Sequence, residues 1–135
     1  METKSLGSAA TLAQRRGERR IKSMDAAPDA ARWVVSTVAD ETAARALARA
    51  LVERRLVACV TCLPGATSLY RWEGMVHEDT EVVLFAKTTA ARVADLEHAF
   101  AELHPYKVPE LLVLEPAHVG APYLAWLRAA VAEER

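Results

Sequence analysis

The chain has 135 residues, of which 52% are hydrophobic and 26% are charged, a composition typical of one globular domain. Its formal net charge of −1 argues against a protein built mainly to bind nucleic acid, and no apolar run approaches the roughly 20 residues that cross a membrane. The two cysteines are too few for a disulfide scaffold, which predicts a cytoplasmic location.

Basic side chains are concentrated at the N-terminus. Residues 1–24 carry six basic and two acidic side chains, a net charge of +4, so the remaining residues carry −5. This stretch lacks the apolar centre of a secretory signal. Its composition favours a disordered leader, with an organelle transit peptide as the alternative. We therefore predict a basic leader over residues 1–30 and a folded domain over residues 31–135.

The first half of the domain predicts a strand, a helix and a long strand. Residues 32–38 are short, β-branched and apolar, as in a buried strand. Asp40 can cap a helix over residues 41–55, whose alanines and leucines form one apolar stripe. Residues 56–72 favour a strand that Pro64 and Gly65 should bend or bulge.

The second half predicts a hairpin partner followed by helix, strand and helix. Glu73 and Gly74 turn the chain into a strand over residues 75–89. Apolar residues at helical spacing predict a helix over 90–104, which Pro105 stops. A strand over 109–116 and a helix over 121–135 complete the chain.

The order β-α-β-β-α-β-α indicates an α+β fold of the ferredoxin-like, split βαβ type. Such a fold has a four-stranded antiparallel sheet with both crossover helices on one face. The C-terminal helix is additional. The uncovered face of the sheet must then be exposed to water or covered by a partner.

The C-x-x-C spacing of Cys59 and Cys62 is the first candidate for chemistry. In an extended strand these two side chains point to opposite faces, with Cα atoms about 10 Å apart, too far for a disulfide. No second C-x-x-C or H-x-x-x-H supplies further zinc ligands. We therefore interpret them as two separate thiols.

The segment HPYKVPE (residues 104–110) is the second candidate. Two prolines stiffen it, which suits a site that must hold polar groups in place. The alternative is that His104 merely caps the preceding helix, where an imidazolium favours the helix dipole. Phosphate-binding glycine loops and a G-x-S-x-G nucleophile motif are absent from the sequence, so we predict no enzyme.

Five segments together resemble the CutA-type divalent-cation tolerance family. They are LVACV (56–60), LPGATSLYRWEG (63–74), EVVLFAKTT (81–89), LHPYKVPELLVL (103–114) and YLAWL (123–127). The resemblance covers about residues 32–131. It implies a heat-resistant homotrimer of ferredoxin-like subunits, which would cover the free sheet face, and no enzymatic reaction.

The resemblance also implies a ligand cleft between subunits that binds divalent metal, in particular Cu(II). The metal ligands would be His104 and Cys59. Copper-binding members can have a thiol in the first strand and a pair of histidines before the proline; here those positions are Ser36 and Leu103, with His104 retained. The cleft residues carried over are Cys59, Trp72, Lys87, Tyr106, Glu110, Tyr123 and Trp126.

A second function stays open at this point. A trimer of this kind can also act as a PII-like signalling protein that binds a small anionic metabolite between subunits. Lys87 and Lys107 would attract the charge, and aromatic side chains would stack on a ring.

Overall fold

The structure, a computed structural model, describes residues 27–133. The leader predicted for residues 1–30 therefore lies almost wholly outside the described residues. The elements are β1 (Ala31–Val38), α1 (Glu41–Glu53), β2 (Cys59–Trp72), β3 (Met75–Thr89), α2 (Val93–Leu103), β4 (Leu112–Leu114) and α3 (Ala121–Val131), with a 3₁₀ turn at Ala90–Arg92.

All strands lie in one antiparallel sheet with the order β2-β3-β1-β4. Because β3 lies between β1 and β2, the first crossover is split, as the ferredoxin-like pattern predicts. The α+β prediction is thus confirmed.

Local chemistry explains the first helix. Asp40 Oδ1 accepts a hydrogen bond of 2.8 Å from the Ala43 N–H, which satisfies one free donor of the first turn. The helix ends where Arg55 adopts φ 59° and the Leu56 N–H bonds the Leu51 carbonyl at 3.0 Å. This is the usual left-handed helix ending, with an arginine in the place that glycine favours.

The long hairpin of β2 and β3 contains both predicted irregularities. Pairing shifts between Leu63 and Ala66, and Gly65 there has φ +83°, so the expected bulge is present. Glu73 and Gly74 both have positive φ between the paired residues Trp72 and Met75. This is the two-residue turn that matches strand twist.

Some predicted elements are shorter in the structure. The second strand begins at Cys59 instead of residue 56, because Leu56 completes the helix ending. The strand predicted over 109–116 pairs with β1 only at Leu112–Leu114. The final helix ends at Val131.

Helices α1 and α2 pack on one side of the sheet, which we call the core face. Every second residue of a strand points to this face, and the buried ones include Val34, Val38, Val82, Leu84 and Ala86. The helices contribute Leu47, Leu51, Leu96 and Phe100. The opposite side, which we call the open face, carries Trp33, Phe85, Lys87, Cys59 and Leu63.

Helix α3 covers only one end of the open face. Leu127 and Val131 form a small apolar cluster with Ala58. Arg55 Nη1 donates to the Ala130 carbonyl at 3.3 Å, and Arg92 donates from Nε and Nη2 to the Val131 carbonyl at 2.9 and 2.7 Å. Two arginines therefore satisfy carbonyls at the free end of α3 and hold it against the sheet.

Candidate functional site

In a single chain, the residues carried over as one cleft lie in two separate places. Lys87 and Tyr123 line a cavity under α3, and Cys59 and Trp126 each contact Tyr123; we call this group and its cavity the open-face pocket. Along a groove between the hairpin and the loop after α2, which we call the loop groove, lie Trp72, Tyr106 and Glu110.

The open-face pocket combines a thiol, a phenol and an ammonium group. Cys59 Sγ lies 3.6 Å from Tyr123 Oη, and the rings of Tyr123 and Trp126 have centroids 5.5 Å apart. Lys87 Nζ donates a hydrogen bond of 2.9 Å to Thr61 Oγ1. Burial, followed by the bond to Cys59, raises the pKa of Tyr123 to about 12, so this phenol stays protonated at neutral pH.

Strand register and helix spacing explain this grouping. Lys87 on β3 is the direct partner of Cys59 on β2 and of Trp33 on β1, so the three side chains share the open face. Tyr123 and Trp126 are three residues apart on α3 and therefore lie on the same side of that helix.

The two cysteines are free and point to opposite faces, as predicted from strand alternation. Cys62 packs against the main core, and burial raises the pKa of its thiol. Cys59 faces α3 instead. The C-x-x-C spacing therefore does not form a joint site.

The loop groove encloses about 870 Å³ and is rich in carboxyl and phenol groups. Tyr106 Oη donates to Glu81 Oε2 at 2.6 Å, and the Tyr70 hydroxyl donates to Asp79. Burial, and then the bond to Glu81, raises the pKa of Tyr106, while burial and the nearby Glu81 raise the pKa of Glu110. The groove is thus acidic, with its phenols protonated.

His104 is 7% exposed and both of its ring nitrogens are occupied. The Tyr106 N–H donates to Nδ1 at 3.1 Å, so Nε2 carries the proton and donates to the Thr37 carbonyl at 2.9 Å. Burial lowers the pKa of the imidazole despite the opposing effects of Thr37 and Glu81. His104 is the C-terminal cap residue of α2, with its N–H bonded to the Phe100 carbonyl at 3.0 Å, so that part of the alternative holds. The expected imidazolium does not fit, because burial lowers the pKa of the ring and the Tyr106 N–H donates to Nδ1.

Within one chain the two predicted metal ligands do not meet. His104 lies beside Ser36 and Phe100 on the core side, whereas Cys59 lies on the open face. Within residues 27–133, no three His, Cys, Asp or Glu side chains are grouped so as to hold a metal ion. The assignment of His104 and Cys59 to metal stays a prediction.

Sequence reasoning missed several residues of the open-face pocket and the loop groove, namely Trp33, Thr61, Tyr70, Asp79 and Glu81. Trp33 and Thr61 join the open-face pocket only through the register of three strands. The signal for Glu81 was weak, because one carboxylate among many in the hairpin becomes distinctive only when Tyr106 folds back onto it.

The sheet order, the bulged hairpin and the loop after α2 can be compared with known proteins. Residues 32–130 match the family described as "CutA1 divalent ion tolerance protein". The chain belongs to this family. Among curated relatives, the divalent-cation tolerance protein CutA of Thermus thermophilus is 50% identical over 95 residues, covering 70% of this chain and 92% of its own. That of Salmonella newport is 42% identical over 111 residues, covering 82% and 96%.

Solved CutA structures share the fold. The protein from Xylella fastidiosa superposes with a TM-score of 0.73 at 36% identity, covering 76% of this chain and 98% of its own. The solved divalent cation tolerance protein of Thermus thermophilus gives 0.73 at 46% identity, covering 76% and 99%. The family assignment supports a role in divalent-cation tolerance, as the resemblance predicted.

Nothing in the described part of this CutA-family chain spans a bilayer as a helix: over residues 27–133, each helix is too short or too polar.

Proposed function

We propose that this CutA-family protein acts as a homotrimer that binds a divalent cation, Cu(II) foremost, at clefts between its subunits. The observation that carries the proposal is the open face. Trp33, Leu63 and Trp126 are all 40% or more exposed there or beside it. Large exposed apolar side chains grouped on one surface are typical of a protein–protein interface.

The hairpin adds a second exposed apolar region at the far end of β2 and β3. It is formed by Leu69, Trp72, Met75 and Val76. Two such regions on one chain, at different places, suit a closed ring in which each subunit contacts two neighbours. A symmetric trimer is the smallest ring of that kind.

Cys59 is the soft ligand that such a cleft would present to the ion. Its thiol lies on the open face, where a neighbouring subunit would approach, and thiolate is a ligand that copper favours. His104 can add an imidazole only if its ring gives up the Tyr106 N–H at Nδ1, and carboxylates of the loop groove are further oxygen donors.

The test is equilibrium dialysis of the full chain against Cu(II) and, separately, Zn(II). Cys59→Ser removes the open-face thiol, and Cys62→Ser is the matched control because that thiol faces the core. We expect a fixed number of ions per three subunits in wild type and in Cys62→Ser, and weaker binding in Cys59→Ser.

His104→Gln completes the series, since glutamine can still donate to the Thr37 carbonyl but offers no imidazole. Weaker copper binding in this variant would support His104 as a ligand. Unchanged binding in both Cys59→Ser and His104→Gln would refute the assigned site.

A further inference from the structure

A further cavity, of about 490 Å³, lies where the start of α2 meets the end of α3. It is at the opposite end of β3 from the hairpin turn, and it shares no lining residue with the open-face pocket or the loop groove. We call it the terminal cavity, because its walls include residues near both ends of the described chain. A cavity of about 150 Å³ already holds benzene, so this one has room for a large side chain. It is lined by Pro28, Asp29, Thr89, Ala91, Arg92, Asp95, Arg128, Val131, Ala132 and Glu133.

The charged side chains of the terminal cavity are paired with one another except for Asp95. Arg92 Nη1 pairs with Glu133 Oε1 at 3.4 Å, and Arg128 Nε pairs with Asp29 Oδ2 at 3.3 Å. None of the ion pairs within residues 27–133 includes Asp95, an exposed residue in the first turn of α2. The cavity therefore presents one negative charge that no cationic side chain of that part of the protein neutralises.

The described chain begins at the rim of this cavity. The Pro28 carbonyl accepts a hydrogen bond of 2.8 Å from the Ala91 N–H, and the Ala27 carbonyl accepts one of 3.1 Å from the Ala30 N–H. Asp95 follows Ala91 by four residues, so it lies about one helical turn beyond the point to which Pro28 is bonded. Three to five residues of extended chain span about 10–18 Å, so the residues just before Ala27 can reach both the cavity and Asp95.

We propose that the terminal cavity binds the preceding segment of its own chain, residues 20–26 (RIKSMDA). The Met24 side chain occupies the cavity, and Lys22 Nζ pairs with the carboxylate of Asp95. Methionine suits a cavity of irregular walls because its unbranched side chain adapts to the available space. The overall charges agree with this pairing, since residues 1–24 carry +4 and the rest of the chain carries −5.

The contact forms within one subunit, so it does not rest on the proposed trimer or on cation binding. It would strengthen a joint that the structure already contains, in which Arg92 at the start of α2 donates to the Val131 carbonyl at the end of α3. The predicted leader would then stabilise the attachment of the C-terminal helix.

Hydrogen exchange of the full chain at neutral pH, followed by mass spectrometry, tests the contact. We expect the amides of residues 21–26 to exchange about tenfold or more slowly than in an unstructured peptide of the same sequence, because burial of a methionine side chain gives at least this protection. Residues 5–14 provide the internal comparison and should exchange at the unstructured rate. Exchange of residues 21–26 at the unstructured rate would overturn the proposal.

Two variants test the apolar part of the contact. Met24→Ser should remove most of the protection of residues 21–26, a loss of about tenfold. Leu12→Ser is the matched change earlier in the leader and should leave that protection unchanged. Met24→Ser should also retain copper binding, so failure of the cation proposal is distinguishable from failure of this one.

Three variants test the charged part. Asp95→Asn should speed exchange of residues 21–26 about threefold, since an exposed ion pair contributes little. Glu97→Gln, the matched change at another exposed carboxylate of α2, should have no effect on it. Exchanging the two charges, Lys22→Asp with Asp95→Lys, should restore the protection. Protection that neither Met24→Ser nor Asp95→Asn lowers would place the segment elsewhere and refute the assignment.

Discussion

The two faces of the sheet carry alternate residues of the same strands in opposite surroundings. On the core face, Leu84 is 2% exposed under α1 and α2, and the polar His104 ring has both nitrogens bonded. On the open face, Leu63 is 55% exposed, and within residues 27–133 Lys87 Nζ donates to a hydroxyl, that of Thr61, and to no carboxylate. The core face is completed by its own chain, and the open face has the unused apolar surface and charge with which another molecule can bind.

The largest expected effect is a difference in stability between the same substitution at a leucine of the core face and at a leucine of the open face. Leu84→Ala should lower the free energy of unfolding by about 2–5 kcal/mol, since it removes a buried side chain and leaves a cavity. Leu63→Ala should lower the free energy of unfolding of a single subunit far less. It should instead weaken the association between subunits. Denaturant unfolding with sedimentation velocity measures both; an equal loss of stability at both sites, independent of protein concentration, would remove the distinction between the faces.

The next effect concerns the attachment of α3 to the open face. Arg92→Leu should lower the free energy of unfolding by about 1.5–3 kcal/mol, because the Val131 carbonyl loses two charged donors. Arg92→Lys keeps one donor and should cost less. Hydrogen exchange should become faster in α3 than in α1, and uniform change across both helices would show that Arg92 does not hold α3 specifically.

A smaller effect is expected where the loop after α2 returns to the sheet. Tyr106→Phe removes the hydroxyl that donates to the buried Glu81 and should lower the free energy of unfolding by about 1–3 kcal/mol. Glu81→Gln is the matched comparison, since a neutral amide still accepts the bond. If Tyr106→Phe is neutral in thermal unfolding, the contact contributes no net stability.

The smallest effect is the pH dependence contributed by His104. Its pKa in the folded chain lies below the ordinary value of 6.5, so the unfolded chain takes up the proton first as pH falls. The stability from this residue is therefore present above about pH 6.5 and is lost as pH falls through the lower folded pKa. Urea unfolding between pH 5 and 8 should show this loss in wild type and less of it in His104→Gln. A rise in stability on acidification that His104→Gln abolishes would contradict the buried, neutral ring.

Local chemistry made most of the fold predictable. The Asp40 cap, the Gly65 bulge and the Glu73–Gly74 turn each follow from neighbouring residues, and alternation alone separated Cys59 from Cys62. Strand β4 was predicted too long because its ends depend on pairing with β1, which local pattern does not report.

The candidate sites were less predictable for the same reason. Lys87 becomes distinctive only when the register places Trp33 beside it and α3 closes the cavity above. The surroundings of His104 were also beyond local pattern: its lowered pKa follows from burial, which outweighs the opposing effect of the Thr37 carbonyl, 67 residues earlier in the chain.

The central claim is that the open face is covered by other copies of the same chain. Sedimentation equilibrium of the full chain over a wide concentration range tests it most directly. A single species of three times the subunit mass is the predicted result, and Leu63→Ala should shift it toward smaller species. A monomer at every concentration would contradict the claim.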